Sequence, residues 1–245
     1  MTTSTPTPTK PPEPSRHDVW KMFDRISPSY DRLNRILSLG IDRGWRRRMA
    51  SLLPAGESLK ILDLATGTAD QILSLCRECP RVQSGIGMDL AEQMLEIGRI
   101  KVEHEGLSSC VQLKNGDACK IPLGDNEVDA VTISFGIRNV LSVETALREM
   151  LRVLKPGGRV LLLECTVPRN PVVKAGHLFY MRTVLPTVGG WFSGDREAYR
   201  YLNETIETFP SGAAFCAMMN EAGFVQVKHT PLTLGVSTIY QGDKP

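Results

Sequence analysis

Between residues 58 and 167 the chain alternates short apolar runs with stretches of helical periodicity, and no other feature limits its possible folds so sharply. The runs 60–65, 82–88, 109–114, 128–134 and 159–165 read as strands, and 68–79, 92–104 and 143–154 read as helices between them. Alternation at this spacing means βαβ units, hence a parallel sheet with helices on both faces. After two more helical patterns, at 196–208 and 213–222, two strand-like runs at 224–229 and 236–240 flank a turn at Gly235. They predict a C-terminal hairpin at the sheet edge. The expected fold is therefore α/β: a Rossmann-like, mostly parallel, seven-stranded sheet.

The remainder of the chain is organised around this core. Residues 1–15 hold five prolines and no Val, Ile, Leu or aromatic side chain, so nothing there offsets the entropy of ordering, and a disordered tail is expected. From 16 to 54, Val19, Phe23 and Ile26, then Leu33, Ile36 and Leu37, recur at helical spacing. Pro28 is expected to separate the first two segments, Gly40 to end the second, and Asp42 to open a third. These helices predict a lid ahead of the 58–167 core. An apolar insert follows at 168–194, and 195–245 carries the last helices and the hairpin.

Composition excludes several classes of function. Lys+Arg number 29 against 27 Asp+Glu, a net charge of +2, which argues against a nucleic-acid binder. No apolar run approaches the roughly 18 residues of a membrane span, and the first residues lack a secretory layout. Six cysteines without a framework suit reduced thiols, so a cytoplasmic protein is expected. Cys76 and Cys79 form a C-x-x-C with no second pair, and the four histidines share no ligand spacing, so no metal site is expected.

Open parallel sheets bind ligands at the carboxyl ends of their strands. Here the first strand ends in Asp63-Leu64-Ala65-Thr66-Gly67-Thr68-Ala69-Asp70, a turn of small residues that lets backbone approach a ligand. Asp89 ends the second strand and is placed to accept from both hydroxyls of a ribose. Asp117 and Ala118 follow the third, where a carboxylate and an amide could read an adenine edge. A dinucleotide would want G-x-G-x-x-G, whereas this turn pairs the single Gly67 with the acidic Asp63. An acid there repels pyrophosphate and suits a cation. The adenosine cofactor with a cationic centre is S-adenosylmethionine. The rival signature of a short-chain dehydrogenase, Y-x-x-x-K, occurs only as Tyr240 and Lys244, outside any helical pattern.

The segments DLATGTAD, MDLAEQML, NGDACKIPLGDNEVDAV, TISFGIRNV and REMLRVLKPGGRVLLLE together resemble a class I S-adenosylmethionine-dependent methyltransferase. More narrowly, with FDRISPSYDRLN and DREAYRYLNETI, the chain resembles the ubiquinone/menaquinone biosynthesis C-methyltransferases from about residue 19 to 242. The resemblance implies methyl transfer to a ring carbon of a lipophilic, prenylated quinol, a naphthoquinol or a methoxylated benzoquinol. It implies cofactor contacts at Thr68, Asp89, Asp117, Ala118 and Ser134. The chain departs from the family pattern at Thr66 and Ala69, where glycine is usual, and the Ala69 methyl is expected to weaken cofactor affinity.

An aromatic carbon is a weak nucleophile unless a neighbouring hydroxyl ionises, so the site should stabilise phenolate character. Arg138 is the candidate for the oxyanion, Asn139 for orienting the hydroxyl or a water, and Tyr30 for the other ring oxygen. No strong base is identifiable. The lid and the insert from His177 to Phe192 are expected to supply an apolar channel. The run Arg43, Trp45, Arg46, Arg47 and Arg48 reads as a solvated charged face, with peripheral contact to the inner face of a membrane as the functional alternative. A homo-oligomer is left open.

Overall fold

Seven strands form one sheet in the order β3-β2-β1-β4-β5-β7-β6. They are β1 (Leu59–Leu64), β2 (Val82–Asp89), β3 (Val111–Asn115), β4 (Val128–Ser134), β5 (Leu154–Cys165), β6 (Val225–Leu232) and β7 (Ser237–Asp243). The first five run parallel, and β7 enters antiparallel between β5 and β6. The computed structural model describes residues 16, 18–185, 187 and 196–245. The expected tail at 1–15 and the end of the insert at 188–195 lie outside the described residues.

Helices cover both faces, which is why the central strands are apolar in near-continuous runs. Alternate residues of β1 point to opposite faces: Leu62 and Leu64 join Met88, Ile133, Leu162 and the helix α5 (Val143–Val153). Leu59 and Ile61 join Ala130 and Leu161 under α2 (Asp42–Ala50) and α3 (Asp70–Glu78). The helix α4 (Glu92–His104) follows β2. The chain leaves β1 toward β2 on one side and returns to β4 on the other. The crevice of a doubly wound sheet therefore opens beyond the carboxyl ends of β1 and β4.

The N-terminal segment differs from expectation. Residues Val19–Leu37 form one helix, α1, with Pro28 inside it. The proline ring sits on the exposed side and removes only the bond back to the Asp24 carbonyl. Ser29 Oγ donates to the Ile26 carbonyl at 3.1 Å. The helix is fastened elsewhere, since Asp24 accepts from the first turn of α4 through the Gln93 amide at 3.0 Å. β5 also begins earlier than expected, at Leu154, because Lys155–Gly158 bulge out opposite Asp129 while the ladder resumes at Arg159. Beyond β5 come α6 (Pro171–Phe179), one wide π turn at Tyr180–Val184, α7 (Arg196–Thr208) and α8 (Ala213–Glu221).

Candidate active site

The turn after β1 is shaped by three left-handed residues at alternate positions, Ala65 (φ 46°), Gly67 (φ 54°) and Ala69 (φ 67°). Its anchor is Asp63, fully buried, which accepts from Thr66 Oγ1 at 2.7 Å and Thr132 Oγ1 at 2.5 Å. Burial pushes the Asp63 carboxyl up to about 6 against the pull of those two hydroxyls. Thr66, where the family pattern has glycine, thus gains a partner. It fits because Gly87 faces it: a Cβ there would lie 2.9 Å from Thr66 Oγ1. Ala69 is also fully buried, its methyl 3.3 Å from where a Cβ of Gly98 would stand. That methyl packs against α4 and lines neither of the two cavities at the strand ends.

Two cavities adjoin at the strand ends. The smaller, about 190 Å³, has Gly67, Asp89, Asp117, Ala118, Ser134 and Asn139 on its walls. Asp89 Oδ2 accepts from the Gly67 amide at 2.8 Å, and Oδ1 from the Ala91 amide at 2.9 Å. Burial raises its carboxyl despite those bonds. Asp117 Oδ1 accepts from the Cys119 amide at 2.8 Å, and Ser134 Oγ donates to Gln71 Oε1 at 2.9 Å. Val19, Trp20, Phe23 and Tyr30 of α1 close the other side. Of the two remaining predicted residues, Asp63 lies behind the turn, and Thr68 faces the lid. Thr68 Oγ1 donates to Asp31 Oδ1 at 2.5 Å and accepts from Lys101 Nζ at 3.3 Å. Lys101 also pairs with Asp31 at 2.9 Å and with Asp70, so α1, α3 and α4 meet in one ionic cluster.

The walls fit S-adenosylmethionine. Each wall carboxylate keeps lone pairs beyond those its backbone partners use, which suits ribose hydroxyls and a cationic centre. Leu90, Met94 and Leu141 offer apolar faces to a base, and a single glycine on the turn leaves no cradle for a pyrophosphate.

The larger cavity, about 470 Å³, is apolar, walled by side chains such as Met22, Ile26, Trp45, Met181 and Ile206. Phe23, Tyr30 and Phe135 belong to both cavities. Arg138 lies on the wall of the larger one, 4% exposed, and donates to the Phe135 carbonyl at 2.8 Å and to Glu164 Oε1. Glu164, 1% exposed, also accepts from the Cys165 amide at 2.9 Å, while its Oε2 has no partner. Burial raises the Glu164 carboxyl; it also works against the Arg138 charge, but the facing carboxylate holds that charge in place. Burial pushes the adjacent Cys165 thiol up to about 12, leaving it protonated. Tyr30 is raised by burial as well, so it is a hydroxyl donor at neutral pH. Asn139 Oδ1 accepts from Tyr201 of α7 at 3.2 Å.

Two residues were missed by the sequence reading. Glu164 continues an apolar strand, Leu161-Leu162-Leu163, at a position whose period-2 neighbour Leu162 is core; a charge inside such a run is the signal. Arg46 was assigned to a solvated face, but it is 8% exposed and lines the larger cavity. It stands three and four residues before the buried Met49 and Ala50, on the inward stripe of α2. Among the described residues no cluster of His, Cys, Asp or Glu could hold a metal ion.

The strand order, the turn after β1 and the acidic strand ends define a class I, S-adenosylmethionine-dependent methyltransferase. Solved structures agree on the fold: a SAM-dependent methyltransferase from Thermotoga maritima superposes with a TM-score of 0.65 at 20% identity, covering 92% of this chain and 99% of its own. The [4+2]-cyclase SpnF superposes with 0.63 at 16% identity, covering 96% and 98%. The profile of the ubiE/COQ5 methyltransferase family matches residues 13–244, and the chain belongs to that family. The ubiquinone/menaquinone biosynthesis C-methyltransferase UbiE of Geotalea daltonii is 42% identical over 226 residues, covering 92% of this chain and 96% of the relative. A demethylmenaquinone methyltransferase of Bacteroides fragilis is 42% identical, covering 92% of each chain.

Proposed function

We propose that this chain methylates a ring carbon of a prenylated quinol, converting demethylmenaquinol to menaquinol, as the names of its relatives indicate. The observation that carries this reading is the shared wall. A polar, acid-lined cavity and an apolar one meet at Phe23, Tyr30 and Phe135, so a cationic donor and a greasy acceptor are held face to face. S-adenosylmethionine supplies an electrophilic methyl group, and alignment is most of the protein's task.

Asp89 would hold the ribose, Asp117 and Ala118 the adenine edge, and Gly67 and Ser134 the amino-acid tail. Asp63 and Thr68 act one layer back, Asp63 by fixing the turn and Thr68 by tying it to the lid. On the acceptor side Arg138, charged because Glu164 faces it, stabilises the oxyanion of one ring oxygen and thereby enriches the ring carbon beside it. Tyr30 donates to the other ring oxygen, and Asn139, steadied by Tyr201, orients the ring or a water. The lid helix excludes bulk water from both. A methoxylated prenyl-benzoquinol presents the same oxygens and is the second acceptor to try.

The mouth of the apolar cavity is bordered by Leu39 and Ile41. Leu39 is 82% exposed, as is much of Phe179 and Leu234; Arg43, Arg47 and Arg48 lie exposed on α2, just after Leu39, and Lys174 on α6 with Phe179. No helix among the described residues is long and apolar enough to cross a membrane. An apolar rim with basic flanks suits peripheral docking on an anionic leaflet, through which the prenyl tail would enter.

The test is a pair of variants assayed with labelled cofactor and short-tailed quinols. Asp89→Ala should abolish binding of S-adenosylhomocysteine in calorimetry. Arg138→Ala should spare binding and cut turnover by about 100-fold or more. Equal loss of cofactor binding in both would make Arg138 structural, and an O-methyl ether as sole product would overturn the reading.

A further inference from the structure

The arginine run of α2 divides in two. Arg43, Arg47 and Arg48 are exposed, whereas Arg46 is buried on the wall of the apolar cavity with its guanidinium carbon 5.5 Å from the Phe135 ring centroid. Its Nε has no hydrogen-bond partner among the described residues. The carboxylate closest to it in sequence, Asp42, approaches only to 3.8 Å, outside hydrogen-bonding range. Asp42 is moreover committed elsewhere, accepting from Arg35 at 3.2 Å on each oxygen and from Ser38 Oγ at 2.8 Å. Arg138, on the same cavity, is better held: its Nη1 donates to Glu164 and to the Phe135 carbonyl, although its Nε too lacks a partner among the described residues.

A buried guanidinium whose Nε is unpartnered and whose ion pair to Asp42 is long is costly, and an apolar side chain of similar length would pack this wall at lower cost. The groups that share the wall do not answer it. Tyr30 is a neutral hydroxyl, Arg138 is a like charge, and Phe135 offers only the face of its ring. The position also commands the junction, because Phe135 and Tyr30 wall both cavities. The Arg46 charge is felt at Tyr30, Asp63 and Asp70, which belong to the lid, the turn and the start of α3.

We infer that Arg46 is a ligand-binding residue that takes an anionic oxygen at the junction of the two cavities. Resting on the methyltransferase reading, two ligands offer such an oxygen: the α-carboxylate of the cofactor and the ionised ring hydroxyl of the quinol. Both meet the same donors, and a guanidinium fork suits either.

The experiment compares the full chain with Arg46→Met and Arg46→Lys in three readouts: melting temperature, calorimetric Kd for S-adenosylhomocysteine, and KM for a short-tailed demethylmenaquinol. Arg46→Met should melt no lower than wild type, since it removes a buried charge paired only at 3.8 Å, with an Asp42 that keeps Arg35 and Ser38 as partners. It should weaken one ligand by about 10- to 100-fold, and Arg46→Lys should recover part of that loss. A change confined to the S-adenosylhomocysteine Kd assigns the oxygen to the cofactor carboxylate; a change confined to the quinol KM assigns it to the ring. The inference is overturned if both constants stay within twofold. It is equally overturned if Arg46→Met melts several degrees lower, weakens both ligands alike and is not rescued by lysine, because the arginine is then structural. A wild-type chain that binds no S-adenosylhomocysteine would instead refute the methyltransferase reading, before any variant is compared.

Discussion

Replacing Glu164 by glutamine tests the acceptor side of the site most directly. The substitution keeps the shape of the side chain and both acceptor roles of its Oε1, toward Arg138 and the Cys165 amide, and removes only the negative charge. Arg138 is then a buried cation with two neutral acceptors, the glutamine amide oxygen and the Phe135 carbonyl at 2.8 Å, and no counter-charge. Breaking a buried pair from one side costs about 3–5 kcal/mol, and the two surviving neutral hydrogen bonds argue for the lower end, about 3 kcal/mol. For a domain of this size that lowers the melting temperature by about 6–12 °C. Turnover should fall by about 10-fold or more as the guanidinium loses the carboxylate that holds its charge in place. Cofactor affinity should not move, because Glu164 is on neither cavity wall. Thermal denaturation, calorimetry with S-adenosylhomocysteine and steady-state kinetics read the three effects separately. The double variant Glu164→Leu with Arg138→Met should regain most of the lost stability while staying inactive. A single Glu164→Gln variant that melts within 2 °C of wild type and turns over normally would refute the claim that a charged pair holds Arg138.

Two further outcomes follow from the same geometry. The Asp63 carboxyl sits near 6 in the fold against its ordinary 3.8, so the folded state holds a proton that the unfolded chain has released, and this contribution, about 3 kcal/mol, is present below pH 3.8 and lost as pH rises through 6. Asp63→Asn should remove that slope, so the variant gains stability relative to wild type between pH 4.5 and 7.5 in urea titrations; an unchanged slope would place the carboxyl at its ordinary value. At the mouth of the apolar cavity, Leu39→Asp with Ile41→Asp should reduce co-sedimentation with vesicles containing anionic lipid and slow methylation of a long-tailed quinol. A short-tailed quinol should react as before, and equal slowing of both would move these residues from docking to catalysis.

Much of this was legible in the sequence because the sheet obeys a local rule. Apolar runs placed all seven strands, and strand ends pointed to Gly67, Asp89, Asp117, Ala118 and Asn139, with Ser134 added by the family resemblance, all of which line one cavity. What local pattern could not decide was the fate of a residue whose environment is assembled from distant chain. Pro28 is tolerated because its ring faces solvent while Asp24 and Asp31 fasten α1 to α4. Glu164 lies 26 residues beyond Arg138, so its pairing depends on β4 and β5 being adjacent. Arg46 and Arg47 are indistinguishable by composition. Only the packing of α2 against the sheet buries one and exposes the other, and the helical phase shared with Met49 and Ala50 was the available clue.

Part of the backbone strain among the described residues falls where these threads meet. Ala65 and Phe135 are non-glycine residues in the left-handed region, at φ 46° and 59°, and they follow β1 and β4, the two strands that border the crevice. Such conformations are costly and persist only where surrounding contacts over-determine them. For Phe135 those contacts are visible. Its amide donates to the Leu163 carbonyl at 2.7 Å, its carbonyl receives Arg138, and its ring lies against Arg46 and 6.2 Å from the Trp45 ring. Gly136 completes the arrangement, because a Cβ there would collide with the Ala65 methyl and force the two turns apart. An extended Phe135 would swing its carbonyl away from Arg138 and its ring out of the partition between the cavities. The strained turn therefore does two things at once: it fixes one guanidinium by a main-chain oxygen and presents a ring face to the other.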